Sequence, residues 1–250
     1  MPEPDPRIAY AIAEIGGREE MEDTHILDVL STRPLRVLGA IFDGHGTDRI
    51  AKLARDRLPD LFRSALPRGA AEAFRFAYAS IHHEAEGLPG GAVAATFYLD
   101  AQGVVVANVG DAHVVSVSPG SAIQLTEDHR LTNERERERV VSAGAQIWGP
   151  YVCLEDGTGI MPTRTLGDHA FRKVGVLAEP AVAAYPLLPG FLVAACDGLW
   201  DVVGIDELPT LILGAETAQE AASRLAHEAL RVRRTHDNLT VLVVRIPASD

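Results

Sequence analysis

Apolar residues along this 250-residue chain follow two rhythms, and the switches between them mark out the elements. Short runs of β-branched and apolar residues predict strands at Ile8 to Ile15, Thr24 to Leu30 and Leu35 to Phe42, the last two flanking a Ser31-Thr32-Arg33-Pro34 turn. The spacing then changes. Between Thr47 and Leu66, residues Ile50, Leu53, Ala54, Leu58, Leu61 and Phe62 recur three and four apart, which predicts an amphipathic helix. A second helix is expected from about Ala70 to Glu86, with Ala73, Phe74, Ala77 and Ile81 on one face. Strands return at Gly91 to Leu99, Gly103 to Val109 and Ala112 to Val117. Their joins, Asp100-Ala101-Gln102 and Gly110-Asp111, are short enough to require antiparallel neighbours. Asn133 to Ala143 carries a Glu-Arg alternation and reads as an exposed helix whose charges form a solvated face. Residues 145 to 159, around Trp148-Gly149-Pro150-Tyr151, read as an irregular loop or flap. A buried strand at Phe191 to Cys196, helices at Asp206 to Leu213 and Ala218 to Val232, and a closing strand at Leu239 to Ile246 complete the chain.

Strands come in antiparallel groups with helices inserted in pairs between them, and neither a repeat nor a linker divides the sequence. The expected class is α+β: a four-layer α/β/β/α sandwich of two antiparallel sheets flanked by helix pairs. It would occupy one domain over residues 8–250, after a flexible, Pro-rich segment 1–7 and with a flap at about 145–162. A hydrophobic content of 47% suffices for a sizeable core.

Composition narrows the function. Lys plus Arg total 23 against 35 Asp plus Glu, a net charge of -12, which argues against nucleic-acid or anionic-membrane partners. The two cysteines, Cys153 and Cys196, form neither a disulfide framework nor a zinc site, and Cys196 reads as a small buried hydrophobe. The N-terminus lacks the pattern of a signal peptide, and no run approaches the ~18 apolar residues of a membrane span. A cytoplasmic monomer is expected.

Four apolar runs end in an aspartate beside a small or turn-forming residue: Ile41-Phe42-Asp43-Gly44-His45-Gly46, Asn108-Val109-Gly110-Asp111, Ala194-Ala195-Cys196-Asp197-Gly198 and His236-Asp237-Asn238-Leu239-Thr240. A strand that stops at Asp-Gly presents a carboxylate at a sheet edge and leaves the glycine carbonyl open to a ligand. Four such edges in one domain suggest carboxylates gathered around hard cations, which prefer oxygen ligands. The pattern points to a metal-dependent hydrolase acting on phosphate esters. Arg18, in Gly17-Arg18-Glu19-Glu20-Met21-Glu22-Asp23-Thr24-His25, has the planar fork to grip two phosphate oxygens, although an Arg among acids is by itself more often a surface ion pair.

With these segments stand Leu125-Thr126-Glu127-Asp128-His129, Arg164-Thr165-Leu166-Gly167-Asp168 and Cys196-Asp197-Gly198-Leu199-Trp200-Asp201. Seven segments in this order, from about residue 8 to 246, resemble the metal-dependent Ser/Thr protein phosphatases of type 2C. The resemblance implies a centre of two Mn²⁺ or Mg²⁺ ions at one end of a β-sandwich. Asp43 would bridge them, Asp197 and Asp237 would complete one ion's protein ligands, and the Gly44 carbonyl would bind the other, with Glu22 and Asp23 close by. Asp111, with Asp197, matches positions that hold a third, weaker ion. Arg18 would grip the phosphate and His45 would be the general acid, while a metal-bridging hydroxide attacks a phosphoserine or phosphothreonine of a protein substrate. One reading from another class stands beside this one, a non-catalytic phosphatase-like module that binds phosphoproteins, and a third option is a small-molecule phosphomonoesterase on the same fold.

Departures from the family pattern fall around the site. Gly91-Ala92-Val93-Ala94 lacks the family's hydroxyls, Gly110-Asp111-Ala112-His113 stands where Gly-Asp-Ser-Arg is usual, and Thr163-Arg164-Thr165-Leu166-Gly167-Asp168 follows Met161-Pro162 beside the flap. Asp168 reads as a turn residue, His129 as a loop residue and Trp200 as core packing, while Trp148 and Tyr151 are the candidates for touching a phosphoprotein.

Overall fold

Two antiparallel sheets share one apolar gap in the computed structural model, which describes residues 4–248. One sheet runs, in spatial order, β1 (Ala9–Glu14), β14 (Leu239–Ile246), β13 (Gly190–Ala195), β6 (His113–Ser118) and β7 (Ser121–Gln124). The other runs β12 (Ala181–Tyr185), β5 (Gly103–Val109), β4 (Gly91–Asp100), β3 (Leu35–His45) and β2 (Thr24–Thr32), with β11 (Leu166–Gly167) paired to the start of β4. Within each sheet every pairing is antiparallel, as the short joins require.

Period-two alternation sorts the side chains of each strand between two cores. On β4, Val93, Ala95, Phe97 and Leu99 enter the gap between the sheets, while Ala92, Ala94 and Tyr98 face outward. The outward face is covered by α1 (Arg49–Ala65) and α2 (Ala70–Glu84), whose Ile50, Ala54, Leu58, Phe62, Phe74 and Ile81 pack onto it. On β14, Leu242 and Val244 enter the same gap from the other side, and Val241 and Val243 face α6 (Ala218–His227). Both faces of β4 and β14 are therefore buried, and their sequences read as near-continuous apolar runs.

The expected α+β sandwich is present, with an uneven outer cover. The pair α1–α2 covers one sheet. The other is covered by α6 together with two single turns, α4 (Asp197–Trp200) and α5 (Leu208–Leu211). The predicted helix at Asp206 to Leu213 is broken because Ile205–Glu207 is a 3-10 turn and Pro209 opens the short α5. The helix predicted to reach Val232 stops at His227, and Glu228–Val232 continues as a π turn. Of the N-terminal segment 1–7, residues 1–3 lie outside the described residues. Pro6 and Arg7 accept backbone hydrogen bonds from Gln219 and Ala218, which holds this stretch against α6.

Two readings of the middle of the chain need correction. The flap is an ordered three-stranded sheet, β8 (Gln146–Trp148), β9 (Tyr151–Cys153) and β10 (Gly159–Ile160), rather than an irregular loop. Its strands are too short for alternation to announce them. Val152 and Leu154 pack with Val140, Phe171 and Val174, which pins the flap to the body. The second correction concerns α3 (Glu134–Ser142), whose charges are not all solvated. Glu136 is buried, accepts from Thr163 Oγ1 at 2.7 Å and Arg164 Nη2 at 2.8 Å, and is paired with Arg139. Arg139 in turn donates to the Thr163 carbonyl at 2.8 Å. Burial opposes ionisation of Glu136, but these donors outweigh it and hold the carboxyl down to about 2.

Breaking a buried ion pair from one side leaves the partner charge uncompensated. Glu136→Gln is accordingly expected to cost about 3 kcal/mol of stability near neutral pH. Because the folded-state value lies below the ordinary 4.5, this stabilisation is complete above 4.5 and fades as pH falls towards about 2. Urea unfolding of both proteins at pH 7 and pH 3 checks this; an equal gap at the two pH values would contradict it.

Candidate metal centre

Strand alternation decides where the acids point. On β3, Val37 and Ile41 enter the gap between the sheets, whereas Leu38, Ala40 and Phe42 face the helices. Asp43 keeps the phase of Val37 and Ile41, so its carboxylate enters the gap at the end of the sandwich. Asp23 stands just ahead of β2, in phase with the gap-facing Leu27 and Val29. Cys196 follows β13 in phase with Leu192 and Ala194. The three meet, with one potential ligand atom from each within 4.8 Å of the others. Thr240, in phase with Leu242 on β14, donates its hydroxyl to Asp23 Oδ2 at 2.7 Å across the gap.

A cavity of about 800 Å³ opens at this end of the sandwich. Glu22, Asp43, Gly44, Asp111, Asp197 and Asp237 line it, together with Arg18 and His45. Asp23 is the one expected ligand off the cavity wall; it lies buried behind Asp43. On the flap side, Tyr151, Ile160, Met161 and Pro162 complete the cavity, while Trp148 is 64% exposed at the hairpin tip and does not line it.

Gathering these carboxylates is electrostatically unfavourable. Burial first, then the charges of Asp23, Asp197, Asp111 and Asp237, push Asp43 well above the usual carboxylate range. Burial, then Asp111 and Asp237, push Asp197 up to about 7. Asp23 rises to about 6, mainly by burial and against the hydrogen bond from Thr240. Glu22 also rises by burial. An all-oxygen donor set that resists ionisation when left to itself fits hard divalent cations.

Arg18 reaches this wall from the rim. It is exposed, and its Nη2 donates to Asp237 Oδ2 at 2.6 Å. The chain can pass here because residue 16 is glycine: it holds φ +62°, and a Cβ would lie 1.8 Å from the Asp237 carbonyl oxygen. Asn238 ties the same loop down, donating to the Ile15 and Glu20 carbonyls and accepting from the Glu22 N–H, each at 2.9 Å. This role of Asn238 was not read from the sequence, although the residue lies inside one of the quoted segments.

His45 has a partner that the sequence reading gave only a turn. Asp168 does sit at a turn, with φ 45°, but its Oδ2 lies 2.6 Å from His45 Nε2. Burial alone would pull His45 down, yet the hydrogen bond and charge of Asp168 outweigh it and leave the imidazole above its usual value. The pair fits only over a glycine, because a Cβ on Gly91 would lie 2.0 Å from Asp168 Oδ2 and 2.6 Å from His45 Nε2. His129 is likewise more than a loop residue: it is fully buried, and its Nδ1 accepts from the Gly110 N–H at 3.2 Å, fixing the turn that carries Asp111. Trp200 packs as expected, its Nε1 donating to the Ala195 carbonyl at 2.7 Å.

A β-sandwich with an acidic mouth, an arginine at the rim and a carboxylate-backed histidine defines a phosphatase type of site. The chain belongs to the protein phosphatase 2C family, whose sequence it matches over residues 11–239. It is 32% identical over 257 aligned positions to the probable protein phosphatase 2C 11 of Arabidopsis thaliana, covering 97% of this chain and 68% of that protein. A protein kinase and PP2C-like domain-containing protein of the same plant is 33% identical; 94% of this chain is covered but only 38% of the relative. Among solved structures, the serine-threonine phosphatase 2C of Toxoplasma gondii superposes with a TM-score of 0.79 at 20% identity, over 95% of this chain and 94% of that one.

The crowding of acids has a measurable consequence for the metal-free protein. Because Asp197 ionises at a higher pH in the folded than in the unfolded chain, stability in chelator falls as pH rises from the ordinary 3.8 towards about 7. Asp197→Asn removes this penalty. It is expected to stabilise the metal-free protein at pH 8 by up to about 4 kcal/mol and to leave it nearly unchanged at pH 4. Chemical denaturation with chelator present reads both values, and a variant less stable than wild type at pH 8 would count against the account.

Proposed function

We propose that the chain is a Mn²⁺- or Mg²⁺-dependent phosphoprotein phosphatase acting on phosphoserine and phosphothreonine. The observation that carries this reading is one cavity in which Asp43, Asp197, Asp237 and Glu22 face Arg18 and His45. The two ions would be held by Asp43, Asp197, Asp237 and the Gly44 carbonyl, with Glu22 beside them and Asp23 behind. Bound there, divalent ions lower the pKa of a shared water and neutralise phosphoryl charge. The acids lining the cavity are all carboxylates, and the one thiol near them, Cys196, is held protonated by burial, which favours Mg²⁺ or Mn²⁺ over zinc.

The chain's own residues supply the remainder. Arg18, at the rim, presents two N–H groups in one plane and binds two phosphoryl oxygens, orienting the ester in the cavity. His45 is the general acid. Asp168 engages its Nε2 and favours the protonated ring, which leaves Nδ1–H to protonate the departing seryl or threonyl oxygen. Asn238 keeps Glu22 and the Arg18 loop in place. A wall of Tyr151, Ile160, Met161 and Pro162 flanks this chemistry and gives a phosphorylated segment apolar surface to lie on. Residues 8–250 are read as one phosphatase domain. Its two cysteines are buried and free, in keeping with a reducing compartment. Among the described residues no helix is long and apolar enough to cross a membrane.

The test compares two leaving groups. With Mn²⁺ or Mg²⁺, hydrolysis of a phosphothreonine peptide and of para-nitrophenyl phosphate is expected, and both collapse in chelator and in Asp197→Ala. His45→Ala is expected to lower peptide turnover by about 10²–10³-fold but to affect para-nitrophenyl phosphate far less, since that leaving group departs without a proton. Asp168→Asn shifts both rates in the same directions by smaller factors. No turnover of either ester by folded, metal-supplied protein would leave a phosphoprotein-binding module as the better reading.

A further inference from the structure

Beside the acid wall lies a cation that the mechanism does not use. Arg130 pairs through Nε with Asp111 Oδ2, and its Nη2 stands 3.5 Å from Asp197 Oδ2 and 3.5 Å from Asp201 Oδ1. Asp111 and Asp197 line the cavity and Arg130 does not, so the guanidinium meets them from outside the cavity lining. Its position is fixed by the preceding residue. Fully buried His129 donates its backbone N–H to the Gly110 carbonyl at 3.2 Å and accepts from Thr163 N at 2.8 Å through its own carbonyl. Arg130 therefore emerges beside the turn that carries Asp111.

The other basic side chain near Asp111 does not share the task. His113 stacks on Trp200 with ring centroids 5.7 Å apart, and both its ring nitrogens are buried without a partner. Among the described residues the arginine fork alone pairs with the three carboxylates at this corner.

We propose that Arg130 is a built-in cation occupying the corner at which Asp111, Asp197 and Asp201 would otherwise gather an accessory divalent ion, and that it limits the centre to two ions. A guanidinium is always charged and is delivered by the fold rather than by solution. A divalent ion entering the corner would meet like charge at close range and would have to displace Arg130 from three partners, leaving that cation without them. Asp197 is shared between the proposed binuclear set and Arg130, so the arginine also braces one metal ligand from outside the cavity lining.

The inference rests on the binuclear reading, and counting bound ions separates the two. Mn²⁺ bound by the chelator-stripped chain is measured by electron paramagnetic resonance of the free ion, up to about 10⁻³ M. Wild type is expected to saturate at two ions. Arg130→Lys, which keeps the charge, is expected to do the same. Arg130→Gln is expected to take up a third ion, or to bind it about tenfold or more tightly than wild type. Asp201→Asn, at an exposed position, covers the case in which the Arg130 variants do not fold: it should leave the wild-type count at two. Three ions in wild type, one of them lost in Asp201→Asn, would overturn the inference while leaving the binuclear reading intact. A folded Arg130→Gln that binds only two would also overturn it. A wild type that binds no Mn²⁺ would sink the binuclear reading and this inference with it.

Discussion

The structure depends on carboxylates being carried into the gap between two sheets by the alternation of the strands themselves. Asp43 is in the gap because Val37 and Ile41 are, and the register of β3 against β4 allows no other phase. A one-residue slip would turn Asp43 towards the helices and break the apolar face at the same time. Fully burying each large gap residue stabilises by roughly 1.5–3 kcal/mol. Leaving a buried carboxylate uncompensated costs several. A few residues such as Phe97, Leu99, Leu192 and Leu242 thus outweigh the acids, and the sandwich holds a charge cluster that would not assemble by itself. The centre is an electrostatically unfavourable corner of a well-packed body, and divalent cations held there would relieve it.

The same logic reaches His45, the proposed general acid. His45 closes β3, Gly91 opens β4 opposite it, and Asp168 follows β11 on the other side of β4. Three neighbouring strands therefore converge on one hydrogen bond. The hydroxyl-free start of β4 takes nothing from this arrangement, because the position that matters is the missing Cβ of Gly91. What the sequence shows as a departure from the family pattern lies beside the functional requirement and does not touch it.

Legibility followed the length and regularity of each element. Gly103–Val109 and Leu239–Ile246 lie within the bounds expected from their apolar runs, because β-branched residues in strands buried on both faces leave little ambiguity. Ala181–Tyr185 escaped notice because three of its five residues are alanine, which carries no strand preference. Ser121–Gln124 is a polar edge, and the flap strands are two or three residues long. In the site, residues at Asp-Gly turns announced themselves through local chemistry. Asp168 and His45 are 123 positions apart, and Arg130 is 19 from Asp111, so no local pattern could have joined either pair. Glu136 misled for a related reason: an alternating charge run describes a solvated helix until one member finds a buried Thr and Arg on a distant loop.

A chain of net charge -12 that binds a dianionic phosphate must reverse its own field within a few ångströms. At ~10 Å or more in physiological salt that net charge is largely screened, so the local arrangement decides the matter. On the cavity side, Arg18 and the His45 ring that Asp168 keeps protonated are the protein's own positive contributions, and exchangeable divalent ions would supply the larger part. Arg130, beside the wall, contributes in a different way. It pairs with Asp111 and Asp197 from outside the cavity lining and, on the inference drawn above, keeps Asp197 from needing a second exchangeable partner. The two kinds of cation would divide the work by direction: exchangeable charge would face the phosphoryl group, where oxygen positions change. Fixed charge backs the ligands, where any change would loosen the geometry on which the reaction depends.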